Sequence, residues 1–488
     1  MFPLLLGTVV LPLAIVPVVW FLSGRLRARV GWVATIPLAL STLIVLFSGW
    51  RGIVVETFRW EPIGYFGFRA DGLSIPVVFT VTLLCSVIAV YSMPYMTHRL
   101  GGDSKEYGLY FALYLLYSTG MIGAVLATNL IEFYLFFELM LVPSYFLIAR
   151  WGYGDRDRIS FMYFMWTHVG ALAFLAGILT LWGVSGTFDL SALASAVIPE
   201  PYRFWITITI LAGLLVKMAA FGVHIWLPHA HAEAPTPISA LLSPAMIGIG
   251  GYAIVRILIT VSPELIGAVS FQLSLWALIT MVYGGLMALV QDDIKRLMAY
   301  SSISQMGYIL LGVASVQLQG VSGSMFHYLS HGMGKGILFM VAGIIIVQAH
   351  DTRSISKLGG LAKRMPVTAT AALIGFLTIL GVPPTSGFIS EFLIFFGSVK
   401  SAMEPLVFQR LIVSIGAVVS TAITAGYTLW TMKRVFFGGL PSEMTEVEEA
   451  PFTMTAPLVL LATTAVILGI LPDLVTSGLL SQISRMIG

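Results

Sequence analysis

Apolar residues run through this chain in long blocks, and the polar residues are gathered into short intervals between them. A block of roughly 20 apolar residues matches an α-helix that crosses a bilayer. Fourteen blocks qualify, at approximately 2–23, 30–49, 72–94, 107–126, 129–149, 159–184, 204–226, 237–262, 272–290, 297–316, 324–348, 367–382, 411–432 and 455–476. The twelfth resumes after a break as 387–399. The pattern predicts an all-α polytopic membrane protein of about 14 transmembrane helices.

Composition agrees. The chain is 58% hydrophobic and 10% charged, where a soluble domain carries about a quarter charged residues. Recurring apolar runs of this length are not explained by a water-soluble core. Cys85 is the one cysteine. It excludes an internal disulfide and a Cys-based metal cluster, and reads as a small apolar side chain. The first block has neither a basic leader nor a small-x-small cleavage site, so it reads as the first span.

Charge placement gives the orientation. With connections numbered from the N-terminus, the odd ones hold sixteen Lys and Arg. The even ones and the C-terminal tail hold eight, among them Arg51, Arg59, Arg69, Arg203 and Arg256. Basic connections stay cytoplasmic. The expectation is a multi-pass protein of the cell membrane with both termini outside. In the second connection, residues 50–71 alternate in polarity around Pro62-Ile63-Gly64, which predicts a short hairpin. SEMTEVEEAP reads as a solvated acidic loop. The basic stretch DTRSISKLGGLAKRMP is expected to lie along the membrane surface or against a partner.

Against this apolar background, a few ionisable residues stand inside spans. Glu138 lies in NLIEFYLFFELMLVPSYFLI and Lys217 in FWITITILAGLLVKMAAFGVHIW. A charge in hydrocarbon costs a few kcal/mol or more, so such groups face the protein interior and serve function. Two opposite signs suggest a charge-transfer path. FHYLSHGMGKGILF places His327, His331 and Lys335 at i, i+4 and i+8, a stripe roughly 12 Å long on one helix. Lys217 and His224 are seven residues apart, which on a continuous helix puts them on one face. Glu132, six residues before Glu138, points to another face and reads equally as a second conduit group or as a residue at the outer interface. His168 reads as structural.

Two spans are interrupted by proline. HIWLPHAHAEAPTPISALLSP follows Lys217, and GVPPTSGFISEF delivers Glu391 just past Pro383 and Pro384. A proline removes an intrahelical hydrogen bond. Broken backbone at membrane depth is tolerated where it lines a cavity, and paired breaks in two halves point to an inverted repeat. Purely structural kinks remain the alternative. For metal, His327/His331 and His229/His231 lack the companions of a zinc pattern. Nothing in the chain reads as a phosphate loop, a Ser/His/Asp set, or flavin or iron–sulfur ligands, so redox or hydrolytic chemistry in this chain alone is not expected.

FFELMLVPSYFLIARWG, HIWLPHAHAEAPTPISALLSP, DIKRLMAYSSISQMGY and SGFISEF resemble the antiporter-like subunits of respiratory complex I. The likeness runs from about residue 70 to 435. The first stretch resembles subunit M, the counterpart of mitochondrial subunit 4, and the likeness extends to the D-type subunits of Mrp cation/proton antiporters. The resemblance implies fourteen helices with two inverted five-helix repeats. It divides the chain into 1–106, the first three helices with their outer hairpin; 107–262, the first repeat; 272–434, the second; and 435–488, a loop and the last helix. It implies a proton relay through Glu138, thought to set the state of its partner Lys217, then His327, His331 and Lys335, then Glu391, with His224 and Glu132 as further candidates. One position departs. Where many members carry a lysine four residues before the tyrosine of the GGY step, this chain has Gly248 ahead of Tyr252, and Lys335 is the expected substitute. SPAMIGIGGYAIVRI also looks like the deazaflavin-dependent, archaeal-type versions of the complex.

The leading expectation is therefore a proton-translocating subunit of a complex I-type oxidoreductase, a translocase part without a redox centre of its own. Quinone, flavin and iron–sulfur centres are expected in partner subunits. The expected partners are L-like and N-like membrane subunits, protons and lipid, with no nucleic acid. The D-type subunit of a multi-subunit Na+/H+ antiporter is the alternative, and a membrane anchor with relic charges is the third.

Overall fold

The computed structural model describes residues 4–487 apart from 51, 62, 102, 103 and 350. Residues 2 and 3 of the first block, Arg51, and Pro62 of the expected turn lie outside the described residues.

Helix dominates, as the apolar blocks require. In the first half run α1 (Leu4–Leu26), α2 (Val30–Trp50), α3 (Ser74–Leu100), α4 (Ser104–Leu126), α5 (Leu130–Trp151), α6 (Arg156–Ser185), the short α7 (Leu190–Leu193) and α8 (Glu200–Lys217). Between α2 and α3 the expected hairpin is present, as β1 (Val54–Trp60) paired antiparallel with β2 (Gly64–Ala70). The chain continues through α9 (Trp226–Glu233), α10 (Thr236–Leu241), α11 (Ile249–Ala253), α12 (Pro263–Gly267), α13 (Ser270–Leu289), α14 (Ile294–Ala314) and α15 (Leu318–Gln348). The last elements are α16 (Pro366–Leu380), α17 (Ser386–Met403), α18 (Phe408–Met432), α19 (Phe452–Ile470) and α20 (Asp473–Ile487).

Among the described residues, 11 helical stretches are long and apolar enough to cross a membrane, the first of them, Leu4–Gly49, spanning both α1 and α2. The two expected blocks outside that set fall at the proline breaks. The block at 204–226 is helical only to Lys217, and α8 also carries Glu200 and Arg203. The block at 367–382 gives the short α16, and α17 starts beyond the break. Between α10 and α12 the helix widens into π turns at Leu242–Met246 and Ile254–Ile259. Pro244 lies in the first, where its missing N–H cannot serve the α-helical ladder.

The centre of the bundle is α15 with α14 and the stretch Thr236–Ile259. Every residue of the most apolar window of that stretch is buried, against 28% for α1 and α2 at the rim. Lipid is as apolar as leucine, so helices associate through close packing of small residues. Where α15 meets α17, a β-carbon on Gly397 would lie 2.3 Å from the Gly320 nitrogen, so the two backbones touch.

The connections sort by parity. At one end, Tyr153 of the fifth connection donates its N–H to the Glu233 carbonyl of the seventh (2.7 Å). Asp293 of the ninth pairs with Arg353 of the eleventh (2.5 Å), and Asp292 with Arg434 of the thirteenth (3.3 Å). At the other end, Thr128 of the fourth donates to Gly67 of the second (3.2 Å), and Arg203 of the sixth pairs with Glu264 of the eighth (3.5 Å).

Three loop assignments change. Arg256 is not a solvated outer residue. It is 5% exposed and forms a bidentate pair with Asp71, at 2.9 and 2.6 Å, while its Nε donates to the Tyr252 hydroxyl (2.9 Å). Arg69 adds a second guanidinium to Asp71 at 2.8 Å. Burial raises the Asp71 carboxyl, but the Arg256 charge and hydrogen bonds outweigh it and hold the group well below the usual carboxylate range. Lys295, counted with the cytoplasmic loops, is fully buried against the end of α9. The C-terminal tail is not loop: α20 follows α19, and Gly72 and Gly478 meet so closely that a β-carbon on Gly72 would lie 2.2 Å from the Gly478 carbonyl oxygen.

Candidate functional site

The two proline breaks and α15 each carry buried ionisable side chains. Lys217 is the last residue of α8. Directly after it the helix stops, with Ala219 at φ 53° and Gly222 at φ 90°. The carbonyls freed by the break are recovered locally: Ala220 N–H donates to Leu215 O at 3.1 Å and the Trp226 indole N–H to Val216 O at 3.1 Å. A cation at a helix C-terminus also faces the negative end of the helix dipole. Lys217 is 1% exposed and its ammonium has no hydrogen-bond partner. It lies 4.6 Å from the centre of the Phe137 ring, next to Glu138 on α5.

Glu138 itself contacts a different group. One carboxylate oxygen is 3.3 Å from Nδ1 of His168 on α6, and the other is buried without a partner. Lys217 is within electrostatic range of Glu138 but makes no ion pair with it. His168, read as structural from sequence, is thus the direct partner of Glu138. Two apolar helices hid this pairing, because no spacing rule links residues on separate helices.

His224 moves away from Lys217. The continuous-helix geometry expected from the seven-residue spacing fails, since Met218–Ile225 is not helical. Instead the His224 ring meets Tyr283 on α13, with Nε2 3.1 Å from the hydroxyl, and its Nδ1 accepts from Gly222 N–H at 3.1 Å. It bridges the first break to the second half of the chain.

On α15 the helical spacing holds. His327, His331 and Lys335 are all buried on one continuous helix. The His327 and His331 rings are 6.3 Å apart. His327 Nδ1 is 3.0 Å from the Ser390 hydroxyl of α17, and its ring stacks on Tyr308 at 5.5 Å. Neither ring nitrogen of His331 has a partner. Lys335 donates to the Met298 carbonyl at 3.0 Å and to the Ser301 hydroxyl, both on α14.

Ser390 hands the row to Glu391, 6% exposed with Oε1 unpartnered. The break before α17 makes room for this carboxylate. Gly381 sits at φ 69°, and a β-carbon there would lie 2.5 Å from Glu391 Oε2. Gly248 leaves no comparable space, because a β-carbon would be 2.3 Å from the Tyr328 ring. The tyrosine fills the volume a lysine at 248 would need.

Glu132 stands apart from these residues. It is fully buried, and its Oε2 accepts from the N–H groups of Gly67 (3.1 Å) and Thr128 (3.3 Å). It clasps the β-hairpin to α5 at the even-connection end. His229 is exposed while His231 is buried, so this pair shares no face for a metal.

Lys217 Nζ, Glu138 Oε1, His327 Nε2, both His331 nitrogens and Glu391 Oε1 are buried without a hydrogen-bond partner among the described residues. Each such group costs about 1–3 kcal/mol if nothing satisfies it. Buried polar groups of this kind are ordinarily satisfied by water, through which titratable groups can exchange protons.

Known proteins resemble this chain over most of its length. A model described as NADH:quinone oxidoreductase/Mrp antiporter, TM matches residues 127–420. A second, NADH-Ubiquinone oxidoreductase (complex I), chain 5 N-terminus, matches residues 60–111. F(420)H(2) dehydrogenase subunit M of Methanosarcina mazei is 33% identical over 97% of this chain and 96% of its own. NADH-quinone oxidoreductase subunit M of Rhodobacter capsulatus is 35% identical over 86% of this chain and 82% of its own. A chain of respiratory complex I from Thermus thermophilus superimposes with a TM-score of 0.87 at 26% identity, covering 99% of this chain and 100% of that one. A chain of the Mrp complex from Dietzia sp. shares the fold, with a TM-score of 0.87 at 23% identity over 100% of both chains.

Proposed function

The chain belongs to the antiporter-like membrane subunits of the complex I family, in the subunit M branch, and we propose that its buried ionisable side chains form the proton path of such a subunit. It is a multi-pass, proton-translocating membrane subunit of the complex I type. The relay runs from Glu138 and Lys217, past the bridging His224, to Lys335, His331, His327 and finally Glu391. The observation that carries this reading is the series of buried, unpartnered ionisable atoms strung between the two helix breaks.

Partner exchange at Glu138 supplies the switch. In one state the carboxylate is paired with His168, and in the other it turns to Lys217 and holds the lysine charged. Two unit charges about 4 Å apart interact by about 4 kcal/mol at an effective dielectric near 20. Moving one proton against 100 mV costs about 2.3 kcal/mol. Gaining or losing the contact with Glu138 therefore changes the energy of the lysine's proton by an amount comparable with that step. When the carboxylate leaves, the desolvated lysine releases its proton toward α15.

The same reading takes fourteen crossings, with α8–α9 and α16–α17 as discontinuous helices and two inverted repeats at 107–262 and 272–434, flanked by 1–106 and 435–488. The parity of the connections supports it. The basic odd end is cytoplasmic, the termini lie outside, and the membrane is the cell membrane. Neighbouring L-like and N-like subunits flank the chain, and electron carriers reside in other subunits. The sodium/proton antiporter reading is weaker, because the Methanosarcina and Rhodobacter relatives, both above 30% identity, carry dehydrogenase and oxidoreductase names.

The test is Glu138→Gln in the assembled complex, with redox-driven acidification measured in membrane vesicles. Gln keeps the shape and removes the charge, so pumping should fail while assembly persists, and Glu138→Asp should be milder. Full pumping by the Gln variant contradicts the switch.

A further inference from the structure

The α15 row needs a supply of protons, and the odd-connection end carries a cluster that the relay residues do not use. Glu233 ends α9. Its carboxyl is half-buried, with Oε2 enclosed and unpartnered. It lies against the bare Cα of Gly154, where a β-carbon would approach Oε2 to 2.6 Å. Lys295, Arg296 and Asp293 from the start of α14, and Arg353 from the loop after α15, all act on it electrostatically. Arg353, Arg99 and Lys295 in turn crowd one ring, that of Tyr153, at 5.9, 4.0 and 5.1 Å.

Two residues inward is His231, fully buried with neither ring nitrogen partnered. Its ring stacks on Phe339 at 4.8 Å, one helical turn past Lys335 on α15. Lys295 and Lys335 both lie within electrostatic range of it. Lys295 is fixed, donating to the Ala232 carbonyl at 3.3 Å and to the Ala234 carbonyl. A histidine retained only for packing would be expected to satisfy at least one nitrogen, because two orphaned ones cost about 1–3 kcal/mol each.

We propose that Glu233 and His231 form the proton port that fills the α15 row from the odd-connection end. This rests on the reading of Lys335, His331 and His327 as conductors. The Glu233 carboxylate takes a proton from bulk water and becomes the neutral acid. Through an intervening water it gives that proton to His231 and returns to the carboxylate. The imidazolium passes the proton to the neutral Lys335 amine and is itself restored.

The experiment uses membranes holding the assembled complex, with assembly checked on native gels and pumping expressed per electron transferred. Glu233→Gln and His231→Gln should each lower pumping by about tenfold or more, and Glu233→Asp should stay within about threefold of wild type, the behaviour of a proton-transfer group. A larger solvent deuterium isotope effect on pumping should appear in Glu233→Asp. A purely structural glutamate would not move that readout. If a Gln variant fails to assemble, the Asp isotope effect decides, and an unchanged value overturns the port. Lys335→Ala separates the two claims. Loss of pumping there, with wild-type pumping in both Gln variants, overturns the port alone. Full pumping in Lys335→Ala overturns the relay on which the port rests.

Discussion

Removing the charge of Asp71 tests whether the even end of the bundle is held by a buried ion pair. The Arg256 side chain is 6% exposed and the Asp71 side chain 0%, with contacts at 2.9 and 2.6 Å. Asp71 also accepts from the N–H groups of Leu73 (3.1 Å) and Ser74 (2.9 Å), which secures the start of α3. Asn keeps that acceptor, so Asp71→Asn isolates the charge. Breaking one partner of a buried pair costs about 3–5 kcal/mol, while removing both is often near neutral. Asp71→Asn should therefore destabilise by about 3 kcal/mol or more, and Asp71→Asn with Arg256→Met should recover most of it. Thermal stability in detergent, read by size exclusion, gives the totals, and hydrogen exchange of Val54–Ala70 gives the local effect. The pH dependence has a fixed sign. The folded Asp71 carboxyl is depressed, so its contribution is complete above the unfolded value near 3.9 and is lost as pH falls through the folded one. Asp71→Asn should lack that acid-side loss. Simple additivity of the two single variants would refute the reasoning, because it leaves no coupling energy for the pair.

Gly381→Ala places a β-carbon 2.5 Å from Glu391 and forces alanine to φ 69°. It should cost about 1–2 kcal/mol in backbone strain alone and reduce pumping by displacing the carboxylate, so unchanged stability with full pumping would contradict the packing at the second break. Gly248→Lys should not add a relay group, since Tyr328 occupies the space; assembly should fall and improve when Tyr328→Ala is combined with it, whereas normal assembly of Gly248→Lys alone would contradict the fit. Ser356→Cys, exposed beside Asp292 at the odd end, should resist an impermeant thiol reagent applied to intact cells and react after permeabilisation. Labelling from outside reverses the proposed orientation.

The sequence carried what depends on local periodicity. Apolar blocks located the membrane helices, alternation located the hairpin, and the i, i+4, i+8 spacing placed His327, His331 and Lys335 on one face, because α15 is unbroken. Spacing misled where the helix ended: His224 was placed on the face of Lys217, but the chain leaves the helix at Ala219. Contacts between distant segments left no local trace. Asp71 and Arg256 are 185 residues apart, and Glu138 meets His168 across two helices whose apolar surfaces look alike. Lys295 read as a loop cation because it begins a span, yet the end of α9 covers it. Helix α20 was missed because a search for long apolar blocks passes over a short amphipathic helix, although Leu479 and Ile483, at i and i+4, mark its buried face.

Pumping by Lys335→Ala, measured as protons moved per electron in vesicles whose complexes are assembled, tests most directly whether the buried row conducts. Lys335 ends the stripe on α15 and is held by the Met298 carbonyl and the Ser301 hydroxyl of α14. The account predicts a proton-to-electron ratio clearly below wild type, with Lys335→Arg failing to restore it because a guanidinium does not release its proton in this range. A wild-type ratio in Lys335→Ala would contradict the account, and proton movement would then have to bypass the row.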